Sequence, residues 1–231
     1  MNPSKELVNQ LRSEIYQAAR QQAGTVAVIN MSSTIDTYSN AKALDFSKVE
    51  GLQAFRATSF DKDNGNVQMN HIAQSAANEG LLLRGLEGEY EVPYVAQANN
   101  GTNLLVGVQE DTQISSKTGT YSNFVINKNN TGKVFIPVVN ETISGGKAYL
   151  RIPSTYLPNE GINKVSIRFD QDVKGDVNGD GKVDITDAVQ LINKILGNPV
   201  SPFYFFNADI NDDGTININD AVQIVNIILN K

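Results

Sequence analysis

Cysteine is absent from the 231 residues, and histidine occurs once, at His71. No disulfide framework, thiolate metal site or cysteine nucleophile can exist, and nothing that needs two imidazoles. Zinc chemistry of the usual kinds is therefore excluded. Tryptophan is missing too, so any stacking platform must be built from tyrosine or phenylalanine. No apolar run approaches the ~20 residues of a membrane span. The N-terminal stretch has no apolar core of the signal-peptide type, which predicts either an intracellular protein or a chain trimmed of its leader. No nucleophile elbow and no phosphate loop occurs.

What is present suffices for a folded protein. Hydrophobic residues make up 40% and charged residues 19%, a globular composition, and the length allows one large domain or two smaller ones. The net charge of −6 is unevenly spread. Residues 1–171 hold 15 basic against 16 acidic side chains, whereas residues 172–231 hold four lysines against nine aspartates and no glutamate. Such a tail repels a polyanion, and no basic stripe elsewhere offsets it, so the charge argues against nucleic-acid binding.

The acidity has a repeat behind it. Residues 175–196 align without a gap on residues 208–229, 33 positions later, with 12 of 22 pairs identical. Asp176/Asp209, Asn178/Asn211, Asp180/Asp213, the glycines Gly181/Gly214 and Asp187/Asp220 fall at positions 1, 3, 5, 6 and 12 of a twelve-residue loop. That is calcium-loop spacing. Calcium takes six to eight hard oxygen ligands, and such a loop can wrap one ion with side chains at 1, 3, 5 and 12 and a backbone carbonyl at 7. Lys182 and Thr215 would supply those carbonyls, and Asp184 and Asn217 at position 9 could each hold a water ligand. Glycine at position 6 permits the sharp turn. Asp, Asn and Gly are also ordinary turn formers, but two copies in register, each followed by Ala-Val-Gln-x-x-Asn-x-Ile-Leu, point to two Ca²⁺ sites.

Neither loop is expected to have a helix before it: VSIRFD ahead of Asp176 alternates like a strand, and Pro199 and Pro202 break any helix ahead of Asp209. Each should have an exit helix, with Ala188, Val189, Ile192 and Ile195, and Ala221, Val222, Val225 and Ile228, forming apolar faces that can pack together. The aromatic run Phe203-Tyr204-Phe205-Phe206 is either an exposed docking patch or a core plug; a sixty-residue unit short of apolar area favours the plug.

On these residues the tail domain, 171–231, resembles a type I dockerin over residues 172–231: two calcium loops, each with one exit helix, the so-called F-hand motif. The resemblance implies a small all-α domain in which two calcium ions order an antiparallel helix pair whose surface binds a cohesin-like domain. It further implies a role in attaching proteins to cell-surface or cellulosome-like, polysaccharide-degrading assemblies. The family reads its partners largely at loop positions 10 and 11, here Ile185-Thr186 and Ile218-Asn219, with Val189, Gln190, Val222 and Gln223 on the following turns. These differ from the family's common Ser-Thr pair, so partner specificity does not transfer.

Residues 4–22 read as a helix capped by Ser4 and ended by Gly24, either packing on the neighbouring domain or remaining from an upstream module. Residues 25–170 carry about ten short alternating or apolar runs separated by turn residues such as Asp63-Asn64-Gly65 and Gly145-Gly146. They predict a mainly-β sandwich. ALDFSKVEGLQAF, GLLLRG, NLLVGV and GKAYLRIP resemble a β-rich module near the C-terminus of secreted surface proteins of anaerobic bacteria, which implies an accessory, extracellular role and no catalytic residues. Glu87, Glu89 and Glu91 would project from one face of a strand, an arrangement that can hydrolyse glycosides but is more often a solvated face. Tyr90, Tyr94, Tyr121 and Tyr149 could stack on a glycan. The sequence thus points to a non-enzymatic, multidomain tethering chain. Two alternatives stay open: a calcium-stiffened terminus that docks on its own β-module, and a glycan-binding β-module anchored by the tail.

Overall fold

A computed structural model describes residues 24–127, 134–158, 162–170, 173–200 and 202–230. The helix expected over residues 4–22 lies outside them. The chain divides into two compact units, residues 1–167 and 168–231. Among the described residues no helix is long and apolar enough to cross a membrane.

The first unit is β-rich. Its main sheet has ten strands in the order β2 (Ile35–Tyr38), β7 (Leu81–Gly85), β4 (Leu52–Asp61), β5 (Asn66–Ile72), β16 (Val165–Phe169), β13 (Val134–Pro137), β12 (Tyr121–Ile126), β15 (Lys147–Pro153) and β9 (Leu105–Val108), with β11 (Lys117–Thr118) beside β12. Three two-stranded ribbons accompany it: β1 (Val26–Met31) with β8 (Gly88–Pro93), β3 (Leu44–Asp45) with β6 (Gln74–Ser75), and β10 (Thr112–Ile114) with β14 (Glu141–Ile143).

Local sequence explains the central strands. The apolar run of β7 is buried at every residue, as expected of a strand covered on both faces, whereas β5 alternates, turning Val67 and Met69 inward. The β4–β5 hairpin closes where the turn signal stands: Asp61 Oδ1 accepts from the backbone N–H of Asp63 at 2.9 Å, and Gly65 takes φ 64°. The main sheet bends until its two ends meet. Lys147 Nζ on β15 donates to Asp36 Oδ2 on β2 at 2.8 Å, and Ser39 N donates to Gly146 O at 2.8 Å. Gly80 permits this approach, since a Cβ there would stand 2.7 Å from Gly107 N.

The second unit holds α1 (Ile185–Ile195), the single turn α2 (Phe205–Ala208) and α3 (Ile218–Leu229). Both long helices begin with a capping box. The Asp184 and Asn217 side chains accept from Thr186 N and Asn219 N, while the side chains of Asp187 and Asp220 accept from the cap N–H. At the end of α1, Gly197 N donates to Lys194 O and Asn198 N to Asn193 O, with Gly197 at φ 79°. This is a Schellman stop, which glycine adopts without a Cβ penalty.

Two expectations need correction. A helix does precede the second loop: one turn forms at Phe205–Ala208, after Pro202 rather than through it, because Phe206 and Ala208 are drawn inside. The helix faces that pack are also only partly those expected. Ala188 and Leu191 of α1 meet Ala221 and Ile224 of α3 in the core, with Val177 and Ala208, while Val189, Ile192, Ile195, Val222 and Val225 stay exposed. Of the expected faces Ala188, Ala221 and Ile228 do pack in or against the core, Leu191 and Ile224 take the places expected of Ile192 and Val225, and a second apolar stripe faces outward. The aromatic run behaves mainly as a plug: Phe206 is buried and Phe203 packs on the core.

Candidate metal centre and docking surface

The two loops fold by the same hydrogen-bond scheme. In the first, Asp176 Oδ1 accepts from Asp180 N at 3.0 Å and Oδ2 from Gly181 N at 2.9 Å; in the second, Asp209 accepts from Asp213 N at 3.1 Å and Gly214 N at 2.9 Å. Asn178 and Asn211 accept from the same amides of Asp180 and Asp213 at 2.9 and 3.1 Å. Asp180 and Asp213 in turn accept from Lys182 N and Thr215 N at 2.9 and 2.8 Å. Gly181 and Gly214 sit at φ 86° and 77°, the left-handed turn that position 6 demands.

The last aspartate ties each loop to its helix. Asp187 accepts from Val177 N at 2.8 Å and Asn178 N at 3.1 Å through Oδ1, and from Asp184 N at 2.9 Å through Oδ2. Asp220 does the same with Ile210 N at 2.9 Å and Asn217 N at 3.0 Å. Asp184 and Asn217, expected to hold a water, serve as helix N-caps.

These acids are hidden. Asp176, Asp187, Asp209 and Asp220 are 1%, 0%, 3% and 0% exposed. Burial pushes the Asp176 carboxyl above the ordinary range; the N–H groups of Gly181, Gly179 and Asp180 oppose the shift, and the charge of Asp187 adds to it. Asp209 is raised in the same way by burial, opposed by Gly214 N–H and Lys174 and reinforced by Asp220. Among the described residues no group of three or more His, Cys, Asp or Glu converges as a metal-holding cluster. The donor chemistry nevertheless fits a hard divalent ion: the donors are oxygens, and the buried like charges are strained in a way that a cation would relieve.

The surface residues singled out for partner binding fall on one stripe of each long helix. Ile185, Val189, Ile218 and Val222 are 62%, 51%, 60% and 53% exposed, and Thr186 and Asn219 are exposed beside them. Gln190 and Gln223 are half-buried, and Gln190 Nε2 donates to Pro202 O. Ile185, Thr186, Val189, Gln190, Pro199 and Val200 line a groove of about 420 Å³.

In the β-rich unit the other candidates do not converge. Glu89 and Glu91 lie on β8, but Glu87 stands before it, where Gly88 at φ 149° turns the backbone. The expected three-carboxylate face is reduced to two. Tyr149 is buried, the Tyr90 hydroxyl donates to Leu86 O, and Tyr94 packs on the core under Lys42. Tyr121 is 39% exposed and stacks with Arg151. His71 is half-buried, edge-on to Phe55 at 5.6 Å.

Sequence reasoning passed over two residues that the geometry brings to the loops, Lys174 and Asn207, each two positions before a loop. Their equal place in the 33-residue repeat was the available signal.

A pair of aspartate-rich loops, each feeding a capped helix and sharing one core, defines a duplicated loop–helix module. Residues 174–229 match the Dockerin type I domain family. The chain therefore carries a type I dockerin domain at its C-terminal end, and such a domain is non-catalytic and implies calcium-dependent docking on cohesin-type partners. No curated protein and no solved structure matches the chain.

Proposed function

We propose that the chain is a tethering unit in which residues 171–231 bind two Ca²⁺ ions and, so ordered, recruit a cohesin domain. One ion takes Asp176, Asn178, Asp180, the Lys182 carbonyl and Asp187, with Asp184 through water. The other takes Asp209, Asn211, Asp213, the Thr215 carbonyl and Asp220, with Asn217 through water. The observation that carries this reading is the duplicated scheme of buried aspartates, in which each loop turns the same backbone amides onto the same acids.

Bound calcium would supply the positive charge and the coordination that gather the loop oxygens; the rest falls to the chain's own residues. The loops orient the helices, the core of Leu191 and Ile224 sets their spacing, and the outward stripes of Ile185/Val189 and Ile218/Val222 are left for a partner. An exposed apolar stripe rimmed by Thr186, Gln190, Asn219 and Gln223 suits a protein surface. Residues 25–170 are read as a non-catalytic β-sandwich accessory module, residues 1–24 as a helix or the remnant of an upstream module, and the setting as an extracellular or cell-surface assembly linked to polysaccharide breakdown.

The test is calcium titration of the full chain together with capture of isolated cohesin domains, with and without chelator. Two ions for the unaltered chain, one each for Asp176→Ala and Asp209→Ala, and chelator-sensitive capture are expected. Unchanged stoichiometry in either variant sinks the ligand assignment. Capture that survives chelation sinks the calcium-dependent docking.

A further inference from the structure

Lys174 and Asn207 are equivalent in the repeat, 33 residues apart, and neither belongs to the ligand sets given above. Each side chain reaches out of its own half. Asn207 is 2% exposed and donates through Nδ2 to the backbone oxygen of Asp176 at 2.8 Å. Lys174 donates through Nζ to the backbone oxygen of Asp209 and, at 2.6 Å, to Asp212 Oδ1. A third bond joins the same segments, from Gly175 N to Asn207 O at 2.9 Å. The first aspartate of each loop therefore has its carboxylate turned into its own loop and its carbonyl held by the other half.

We propose that Lys174 and Asn207 are positioning residues that make the two loops order, and take up cation, as one unit. The proposal rests on the reading of both loops as calcium sites. A loop can grip an ion only when the peptide at its first position is fixed. Here that peptide is gripped from across the pseudo-repeat, so ordering one half already places the carbonyl acceptor or donor that orders the other. The second ion then meets a loop whose conformational entropy has largely been lost. By linkage the effect is reciprocal, whichever loop fills first.

The clamp is not symmetric. Position 4 is Gly179 in the first loop and Asp212 in the second. Gly179 is required by the ring of Tyr204, since a Cβ there would stand 2.2 Å from Tyr204 Cε2. Asp212, at φ 56°, escapes that constraint and supplies Lys174 with its counter-charge. The buried amide therefore acts on the first loop and the charged latch on the second. Lys174 is the better residue to alter, because its side chain is partly exposed and leaves no buried gap.

The experiment titrates the full chain with Ca²⁺ by calorimetry and follows backbone amide exchange by mass spectrometry. For the unaltered chain the second ion should bind about tenfold tighter than the first after statistical correction, within the usual range of coupling. Lys174→Met should still bind two ions, but with the coupling clearly reduced, while Lys174→Arg, which keeps a cationic donor, should retain it. In Asp213→Ala, whose second loop is disabled, calcium in the first loop should slow exchange across residues 209–216. The added Lys174→Met change should weaken that slowing. Independent filling of the unaltered chain, or full cooperativity in Lys174→Met, overturns the coupling alone. Failure of the unaltered chain to bind any calcium sinks the calcium reading and the coupling with it.

Discussion

Replacing Asp187 by alanine tests how far one carboxylate holds half of the dockerin domain. Asp187 is fully buried and accepts three backbone N–H groups at 2.8, 3.1 and 2.9 Å. Hydrogen bonds to a charged group contribute roughly 1.5–3 kcal/mol each, and they are not additive; relief of repulsion with Asp176 returns part of the loss, so the expected cost is about 3 kcal/mol without calcium. A core this small rarely supplies more than about 3–5 kcal/mol, so the first loop and α1 should lose their protection. Calcium should restore little, because the closing ligand proposed for the loop has gone. The assay is amide exchange on the full chain, peptide by peptide, with the β-rich unit as internal reference. Asp187→Asn keeps one acceptor oxygen for Val177 and Asn178 but turns a donor toward Asp184 N, so it should fall between the parent and alanine. Exchange over residues 174–198 unchanged to within about 0.5 kcal/mol, the scale of an ordinary surface substitution, would refute the reasoning.

The same geometry gives three further expected outcomes. Leu191→Ala and Ile224→Ala, both fully buried, should each destabilise the tail by about 2–5 kcal/mol in urea unfolding; a loss under about 1 kcal/mol would mean that the helices do not pack as described. Val189→Asp and Val222→Asp, on exposed positions, should leave that unfolding midpoint nearly unchanged yet weaken cohesin capture, and undiminished capture by the double variant would remove this stripe from the interface. The pH dependence should change sign with calcium. The folded carboxyls of Asp176 and Asp209 are raised above 3.8, so the metal-free fold binds protons more readily than the unfolded chain, and their contribution is present below 3.8 and lost as pH rises through the raised values. Calcium-free protein should thus gain tail stability as pH falls through that window while calcium affinity drops; a calcium-free tail that only loses stability there contradicts the assignment.

Much of this was legible from residue spacing. The repeat, the glycine at position 6 and the run of ten strand signals all reflect local chemistry: turns that need a missing Cβ, acids at fixed offsets, and apolar alternation. The strands that were missed, β2, β3, β6, β10, β11 and β14, span two to four residues each, too short to carry a period. They exist because a neighbouring strand offers unpaired N–H and C=O groups. The helix stripes were assigned only in part, with Ala188, Ala221 and Ile228 inside but Val189, Ile192, Ile195, Val222 and Val225 outside, because both sides of α1 and α3 are apolar and periodicity cannot say which side meets a partner within the chain.

By itself the sequence determined that two equivalent loops would form and which oxygens they offer, because those properties reside in a dozen consecutive residues. The tertiary structure alone decided which apolar stripe is buried, that Phe206 fills the core, and that Lys174 and Asn207 each reach across to the opposite loop. Those contacts join residues more than thirty positions apart, and only the packing of one half against the other brings their atoms within bonding distance.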